Sequence, residues 1–279
     1  MRDAVGLLLQ EAAERYILPR FRNLRDSEIS NKSSATDYVT IADREAESWI
    51  TPKLRQIVDC PVIGEEATAN DPSLLAHAGD RQVWTVDPLD GTANFVKGND
   101  RFCVMVSLVE NGVAQQSWIW LPLKEVLFYA SVGNGTQRLV GGVAQSVRAK
   151  ATSTSFDALV GGGNVLGLRE PRRSEVLARL RTLPGRRFTG SSGVQGCLMV
   201  SGEDDYMLHT KCTPWDHAPV DLMCREAGCH VAMLDGEGRF NAAECGPLLI
   251  AANQRVWAHI SQTVWRGGDA QPPVFRGTA

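Results

Sequence analysis

The chain has 279 residues, of which 43% are hydrophobic, so it can bury a sizeable core in one large domain or two small ones. Its formal net charge is −3 and its Lys and Arg residues are scattered, which argues against a nucleic-acid-binding surface. Acidic residues near the start argue against a signal peptide, and no stretch approaches the roughly 18 apolar residues of a membrane span, so we expect a cytoplasmic globular protein without membrane partners.

The first half of the chain contains two helical patterns followed by strand patterns. Apolar residues at helical spacing predict an opening helix from Val5 to Ile17, interrupted by Pro19, and a second helix is predicted over about 41–58. The apolar run 61–63 indicates the end of a short strand. Turn residues separate four further strands, which predict an antiparallel meander: Val83–Val86, Phe102–Val109, Gln116–Trp120 and Val126–Ala130.

Beyond about residue 150 the pattern alternates like an α/β unit. Strands are predicted over 158–162 and 205–208, helices over 173–183, 194–201 and 219–227, and a strand followed by a helix over 248–265. The three glycines at 161–163 are expected to form a strand-end turn, because no Gly-Lys-Ser/Thr follows as in a phosphate-binding loop. No low-complexity linker separates the halves, so we predict a single domain over 1–279 with lobes at about 1–148 and 149–279.

The seven cysteines are an odd number and include no C-x-x-C pair. A disulfide framework is therefore not expected, and a reducing compartment fits better. Cys212, Cys224, Cys229 and His230 could in principle gather a zinc ion, but their spacing matches no zinc pattern, and buried free cysteine is the commoner state.

The most informative segment, residues 84–92, reads WTVDPLDGT. A strand ending at Val86 would place Asp87 and Asp90 at a strand end, where two carboxylates three residues apart can converge on hard divalent cations. The carbonyl of Leu89 is a spare oxygen ligand between them. The segment therefore predicts a cation site.

Gly91 and Thr92 follow at a predicted helix start, where exposed amides form an anion pocket beside the cations. The alternative is an Asp-Pro turn followed by an Asp-Gly turn in an ordinary surface loop. The segment alone does not decide between the two.

Three weaker features accompany this segment. Glu65 lies in a Gly-Glu-Glu stretch, for which a charged strand end is the alternative. Asp216 precedes the helix predicted from Pro219, where N-capping would also explain a carboxylate. The stretch 32–40 contains Lys-Ser-Ser and is followed by Asp43, which could simply favour a helix start.

In this order and spacing, the four motifs resemble the inositol monophosphatase family. They read K-S-x-x-x-D-x-V-T-x-x-D from Lys32, then GEE, then W-x-V-D-P-L-D-G-T-x-N-F from Trp84, then W-D-x-A ending at Ala218. The resemblance implies an α+β fold, a layered αβαβα sandwich of the sugar-phosphatase type. It also implies that the antiparallel meander and the α/β lobe form one catalytic domain.

The resemblance further implies hydrolysis of a small phosphomonoester by direct attack of water, with two or three Mg²⁺ ions per active site. Thr92 and Asp43 would activate the water, with help from Glu65. The implied metal ligands are Glu65, Asp87, the Leu89 carbonyl, Asp90 and Asp216. The implied substrate contacts are Asp90, Gly91, Thr92, Ser191, Ser192 and Asp216. For the two serines, a helix N-cap pair is the alternative.

The sequence does not identify the substrate's alcohol, because the acidic residue that the family places shortly before the W-D motif is missing. Leu208 or His209 stands there, so inositol becomes less favoured. A histidinol-phosphate phosphatase is one alternative. A 3'(2'),5'-bisphosphate nucleotidase or fructose-bisphosphatase is another, for which Lys211 and Arg225 offer basic groups.

An inactive, regulatory family member is the non-enzyme alternative, and the complete set of expected metal ligands disfavours it. The resemblance also implies inhibition by lithium and a homodimer. We expect Trp118 and Trp120 of the meander to be exposed and to contribute to a dimer interface.

Overall fold

The computed structural model describes residues 1–32, 38–149, 155–236 and 238–268, so the middle of the motif that begins at Lys32 lies outside the described residues. The α-helices of the described part are α1 (Arg2–Ala12), α2 (Ile41–Ile57), α3 (Glu65–Asn70), α4 (Thr92–Val96), α5 (Arg172–Leu180), α6 (Ser192–Val200), α7 (Pro214–Glu226) and α8 (Gln254–Ile260). The strands are β1 (Ile29–Asn31), β2 (Tyr38–Thr40), β3 (Val62–Gly64), β4 (Val83–Asp90), β5 (Cys103–Glu110), β6 (Val113–Leu121), β7 (Val126–Ser131), β8 (Thr136–Val140), β9 (Val143–Val147), β10 (Gly161–Asn164), β11 (Tyr206–His209), β12 (His230–Met233) and β13 (Leu248–Ala251).

The two long N-terminal helices confirm the sequence prediction with small shifts at their ends. A wider π-helical turn extends α1 to Ile17, and Pro19 lies in the 3₁₀ turn that follows. α2 begins with a capping box, in which the Thr40 hydroxyl accepts a hydrogen bond from the Ala42 amide and the Asp43 carboxylate accepts one from the Thr40 amide. This cap fixes where Asp43 lies.

Strands β3 to β9 form one sheet in chain order, here called the large sheet. β3 pairs parallel to β4 and every later pair is antiparallel, which confirms the predicted meander. β8 and β9, which the sequence did not predict, extend it at a largely exposed edge. β4 does not end at Val86 but runs to Asp90, and its register against β5 shifts between Asp87 and Asp90. All residues of β4 are buried, so the surface-turn alternative is wrong.

Strands β10 to β13 form the small sheet, in the order β10-β11-β13-β12. Only the β10–β11 pair is parallel, so this half is a mixed sheet and not a regular α/β unit. The glycines at 161–163 lie in β10 itself and not in a turn. A Cβ atom on Gly162 would collide with the Arg187 carbonyl, so glycine allows this close approach.

The layers alternate between helices and sheets, which confirms the predicted layered α+β sandwich. Apolar residues of α1 and α2 pack on one face of the large sheet. α6 and α7 lie in the core between the large and small sheets. α5 and α8 cover the outer face of the small sheet.

Two further predictions from the sequence are wrong. α7 begins at Pro214 and contains Pro219 in its interior. Trp118 is fully buried and Trp120 is 8% exposed, because helices cover both faces of the strand that carries them. Neither tryptophan is therefore available for a dimer interface. No helix in the described part of the chain is both long and apolar enough to cross a membrane.

Candidate active site

Three carboxylates converge where the large sheet meets α7. The irregular end of β4 carries Asp87 and Asp90, and the first turn of α7 carries Asp216. One oxygen from each lies within 4.8 Å of the other two. The N-cap of α7 is Thr213, whose hydroxyl accepts from the Asp216 amide at 3.4 Å and donates to the Asp216 carboxylate at 2.8 Å. N-capping therefore does not account for Asp216, and its carboxylate faces the other two.

The start of α6 holds Asp90 in place. The Ser191 hydroxyl and the Gly193 amide donate to Asp90 Oδ2 at 2.5 and 2.7 Å, and the Ser192 amide donates to Oδ1 at 3.2 Å. The same Ser191 hydroxyl accepts from the Val194 amide at 3.1 Å, so it is also the N-cap of α6. The helix-cap interpretation is therefore confirmed for Ser191, whereas substrate contact by Ser191 and Ser192 stays a prediction.

Glu65, at the start of α3, borders the three aspartates. A hydrogen bond joins its carboxyl group to that of Asp87. On its other side Lys32 Nζ lies 2.7 Å from Glu65 Oε1 and 2.5 Å from Glu66 Oε1. Burial lowers the Lys32 pKa, but the two glutamate charges more than reverse this, so its net pKa is raised. Lys32 is therefore already paired with two glutamates. Glu65, Asp87, Asp90 and Asp216 are here called the acid cluster.

Glu47 of α2 binds the start of α3, the helix that carries Glu65. The sequence did not predict this role for Glu47. Its carboxylate accepts hydrogen bonds from the first amides of α3, those of Glu66 at 2.8 Å and Ala67 at 2.7 Å. A Cβ atom on Gly64 would collide with this carboxylate. The only signal in the sequence is an acidic residue on the buried face of a helical pattern.

The acid cluster is electrostatically unfavourable as it stands. Burial raises the pKa of Asp87 well above its ordinary value, and the charges of Glu65, Asp90 and Asp216 raise it further. Burial and the Asp216 charge raise the pKa of Asp90 to about 7, although hydrogen bonds from α6 oppose the shift. Buried carboxylates that repel one another are the oxygen donors that hard divalent cations take. The residues present therefore fit a magnesium site.

A threonine and an aspartate stand beside this cluster. Thr92 Oγ1 lies 3.0 Å from Asp43 Oδ1 and 3.0 Å from the Leu89 carbonyl. The Thr40 amide and hydroxyl hold Asp43 Oδ2 at 2.8 and 2.5 Å. Asp43 is fully buried, and this burial raises its pKa to about 6. Asp43 thus belongs to the helix cap and also contacts Thr92.

Gly91 makes the turn from β4 into α4. Its φ of +96° lies in the left-handed region, and a Cβ atom there would come within 2.7 Å of the Arg101 carbonyl. Only glycine fits this turn without strain. The turn makes Thr92 the first residue of α4, beside the carboxylates.

A pocket of about 580 Å³ opens beside the carboxylates. Of the predicted site residues, five line it: Glu65, Asp90, Ser191, Ser192 and Asp216. The other predicted site residues do not line it: Asp43, Asp87, Leu89, Gly91 and Thr92. The structure thus brings the predicted residues to one place, from five separate segments of the chain.

One part of the pocket lining, here called the histidine wall, consists of His209, His217 and Gln195. His217 Nε2 lies 2.8 Å from His209 Nδ1, and His217 Nδ1 lies 3.2 Å from the Thr213 amide and 3.3 Å from the Thr213 carbonyl. The His209 Nε2–H then donates to Gln195 Oε1 at 3.3 Å. Burial lowers the pKa of His217 to about 4 and that of His209 well below its ordinary value. Both rings are neutral and fully hydrogen-bonded.

The structure also decides between the two residues at the position where the family has an acid. Leu208 packs in the apolar core under α8, whereas His209 lines the pocket. Lys211 lines the pocket as well. Arg225 does not: it pairs with Asp221 of α7 at 2.8 Å, so its predicted role beside Lys211 is wrong.

The zinc alternative has no structural support. Within residues 1–32, 38–149, 155–236 and 238–268, the one group of three ligand-type side chains close enough to share a metal is Asp87, Asp90 and Asp216. Cys212, Cys224 and Cys229 are free cysteines.

Known proteins are similar to this chain over most of its length. The model of the inositol monophosphatase family matches residues 3–267. A Xylella fastidiosa protein named Nus factor SuhB is 28% identical over 276 residues, covering 94% of each chain. A Thermotoga maritima fructose-1,6-bisphosphatase/inositol-1-monophosphatase is 26% identical over 214 residues, covering 76% of this chain and 78% of the relative.

The fold is similar as well. The crystal structure of inositol monophosphatase-II from Staphylococcus aureus superimposes with a TM-score of 0.77 at 22% identity, covering 96% of this chain and 97% of that one. At this identity the superposition shows a shared fold. The family match over nearly the whole chain shows more: the protein belongs to the inositol monophosphatase family.

Proposed function

We propose that this protein is a magnesium-dependent phosphatase that hydrolyses a small phosphomonoester by direct attack of water on phosphorus. The observation that carries the proposal is the set of three carboxylates within 4.8 Å of one another, next to the Thr92–Asp43 pair. Hydrolysis of phosphate monoesters is among the slowest uncatalysed reactions, and it depends on neutralising phosphate charge and activating water.

The proposed ligands of two or three Mg²⁺ ions are Glu65, Asp87, the Leu89 carbonyl, Asp90 and Asp216. When bound, the metal supplies phosphate charge neutralisation and makes water a better nucleophile near neutral pH. Lys32 is well placed to balance Glu65 and Glu66 when fewer cations are present, because it contacts both.

The chain's own groups then handle the proton of the attacking water. The Thr92 hydroxyl donates to Asp43 Oδ1, so its oxygen can accept a hydrogen bond from the water. As the water oxygen bonds to phosphorus and the bond from phosphorus to the alcohol oxygen breaks, the water proton passes to Thr92 Oγ1 and the hydroxyl proton passes to Asp43. The departing alcohol oxygen takes a proton from solvent water. A base with a pKa of about 6 is suited to this transfer near neutral pH. The amides of Gly91 and Thr92 are the proposed phosphate contacts.

The test is phosphate release from a panel of inositol 1-phosphate, fructose 1,6-bisphosphate, adenosine 3',5'-bisphosphate, histidinol phosphate and p-nitrophenyl phosphate, with Mg²⁺ and with EDTA. We expect release from at least one substrate with Mg²⁺ only. Asp87→Asn should lower kcat/KM about a thousandfold or more, because several kcal/mol of charge stabilisation depend on the metal.

Asp221→Asn is the matched control, because Asp221 is also a buried aspartate but pairs with Arg225 outside the pocket. It should lower stability and leave kcat/KM within about threefold. A protein that released no phosphate from any substrate, with Asp87→Asn indistinguishable from wild type, would not be a phosphatase.

A regulatory role without turnover is the competing function, since a relative carries the name Nus factor. The complete carboxylate set argues against it, because an inactive protein has no chemical need for buried acids that repel one another. From the family resemblance we also propose inhibition by lithium, a cytoplasmic location and a homodimer.

A further inference from the structure

The pocket is not uniformly acidic. Among the described residues that line it, the acids are Glu65, Asp90 and Asp216, all of them proposed metal ligands. The remaining charged side chains of its wall are cations, and one of these, Lys32, is engaged by two glutamates. Apart from the proposed metal ligands and Lys32, the charged residues that line the pocket are therefore both basic, Arg187 and Lys211.

Arg187 is fixed at both its backbone and its side chain. Its amide donates to the Gly161 carbonyl at 2.7 Å, which ties it to β10. Its Nη1 lies 3.0 Å from a carboxylate oxygen of Asp204, whose side chain is fully buried. The Arg187 side chain is 35% exposed, and a guanidinium has five N–H donors, so donors remain for a ligand in the pocket. Asp204 offsets its charge, as does Glu203, whose Oε2 lies 3.8 Å from the same Nη1.

Lys211 supplies the charge that is not offset. It is exposed, and in the part of the chain that the structure describes its ammonium group has no ion pair or hydrogen bond. The segment before it is rigid, because the Gly167 amide donates to the Thr210 hydroxyl at 3.0 Å and the Thr210 amide donates to the Asn164 carbonyl at 3.3 Å. An ammonium group at the pocket, carried by a hydrogen-bonded backbone segment, favours an anionic ligand.

The histidine wall is largely committed to its own hydrogen bonds. Each ring nitrogen of His209 and His217 already has a partner, and the Gln195 carbonyl oxygen accepts from His209. In the described part of the chain, the Gln195 Nε2 donor is buried and has no hydrogen-bond partner. This wall therefore offers a ligand one free amide donor, whereas the cationic side chains of Arg187 and Lys211 line the same pocket.

We propose that the substrate's alcohol carries a second anionic group, which Arg187 and Lys211 of the pocket lining bind. This proposal rests on the proposed phosphatase function and specifies its substrate class. A phosphate and a carboxylate share the required chemistry, and a basic residue with several donors binds either.

Matched substrates that differ by one anionic group test it. Fructose 1,6-bisphosphate is compared with fructose 1-phosphate, and 2-phosphoglycerate with glycerol 2-phosphate, by kcat/KM for phosphate release with Mg²⁺. We expect the doubly anionic member to be preferred by about tenfold or more, after a twofold statistical correction for the bisphosphate. Preference in the first pair alone identifies a second phosphate, and preference in the second pair alone identifies a carboxylate.

Variants assign the preference to the two residues. Lys211→Gln should lower the ratio of kcat/KM within the preferred pair about tenfold, mainly through KM, and 0.5 M salt should have a similar effect on the wild type. Arg187→Lys keeps a cation beside buried Asp204, so it should fold while lowering the ratio several-fold through loss of the planar fork. Lys124→Gln, an exposed lysine outside the pocket, should leave the ratio unchanged.

Equal kcat/KM values within both pairs would overturn the proposal, as would a ratio that neither Lys211→Gln nor Arg187→Lys alters. The phosphatase function fails in a different way, namely by no phosphate release from any of the four substrates or from p-nitrophenyl phosphate. The two failures can therefore be told apart.

Discussion

The acid cluster and the histidine wall border one pocket, and burial acts on them in opposite ways. Burial raises the pKa values of Asp87 and Asp90, where several carboxylates crowd together. It lowers the pKa values of His209 and His217, where every ring nitrogen has a partner. Bound cations would relieve the repulsion within the acid cluster, whereas the rings of the histidine wall are already hydrogen-bonded.

This difference suggests that the two regions have separate roles. The acid cluster is suited to bind cations, and reaction at phosphorus requires them. The side chains of the histidine wall bind one another, so they keep a fixed pocket shape, which supports substrate specificity. The predictions below test whether the two walls can be perturbed independently.

The largest effect is expected at the proton-accepting pair beside the acid cluster. Thr92→Val keeps the shape of the side chain but removes the hydroxyl between the water and Asp43, so kcat should fall by about a hundredfold to ten-thousandfold. Steady-state kinetics with the best panel substrate measure this. Mg²⁺ affinity should change little, because the Thr92 side chain is not a proposed ligand.

Thr85→Val is the matched control, because Thr85 is a buried threonine of β4, the strand that precedes Thr92, and bonds to Ser107 at 2.6 Å outside the pocket lining. It should cost about 1 kcal/mol of stability and leave kcat within about threefold. Equal losses of kcat in the two variants would show that Thr92 has a structural role only.

Stability should depend on pH in opposite directions for the two walls. A carboxyl whose pKa is raised by folding favours the folded state at low pH and loses that contribution as pH rises through the folded value, about 6 for Asp43 and about 7 for Asp90. A histidine whose pKa is lowered to about 4, as in His217, contributes the reverse: stability rises with pH from about 4 to its ordinary value of 6.5.

Without metal, the Tm should therefore fall by several degrees between about pH 6.5 and 8, where the carboxyl contribution acts alone. Saturating Mg²⁺ should remove this fall, so the Tm difference between the two forms grows with pH. Calorimetry in EDTA and in Mg²⁺ at matched ionic strength measures it. A metal-free Tm that rises over this interval would contradict the direction assigned to the acid cluster.

The smallest effect on chemistry is expected in the histidine wall. His209→Leu leaves the His217 Nε2–H without its buried partner, so it should cost about 1–3 kcal/mol of unfolding free energy, measured by urea denaturation with Mg²⁺ present. His209→Gln keeps one donor and one acceptor and should cost less. If His209→Leu had the same free energy of unfolding as the wild type, these hydrogen bonds would make no net contribution to stability.

Apolar periodicity predicted most helices and strands, because it reports which faces are buried. The α+β class and the layered sandwich came from the resemblance to the inositol monophosphatase family. It missed features that depend on distant partners. β4 continues to Asp90 because it pairs with β5 across a register shift, which no local pattern encodes. Trp118 looked exposed from its strand pattern, yet helices cover both faces of its sheet.

The candidate site follows the same division. Asp87, Asp90 and Asp216 were found as motif residues, and the structure brings them together. The helix predicted from Pro219 begins earlier because Pro214 already occupies the first turn, where a missing N–H is harmless. The supporting contacts of Glu47 and Arg187 join segments far apart in the chain, so they required the fold.

The contact between Asp90 and the start of α6 has a consequence for changing the substrate of this protein. The same helix that donates hydrogen bonds to Asp90 carries Gln195 less than one turn later, in the histidine wall. A substitution that shifted α6 would thus disturb both walls together. Strand β11 and the residues just after it, which carry His209 and Lys211, make no such bond to Asp90 in the described part of the chain. New specificities are therefore best sought by altering β11 while α6 is left unchanged.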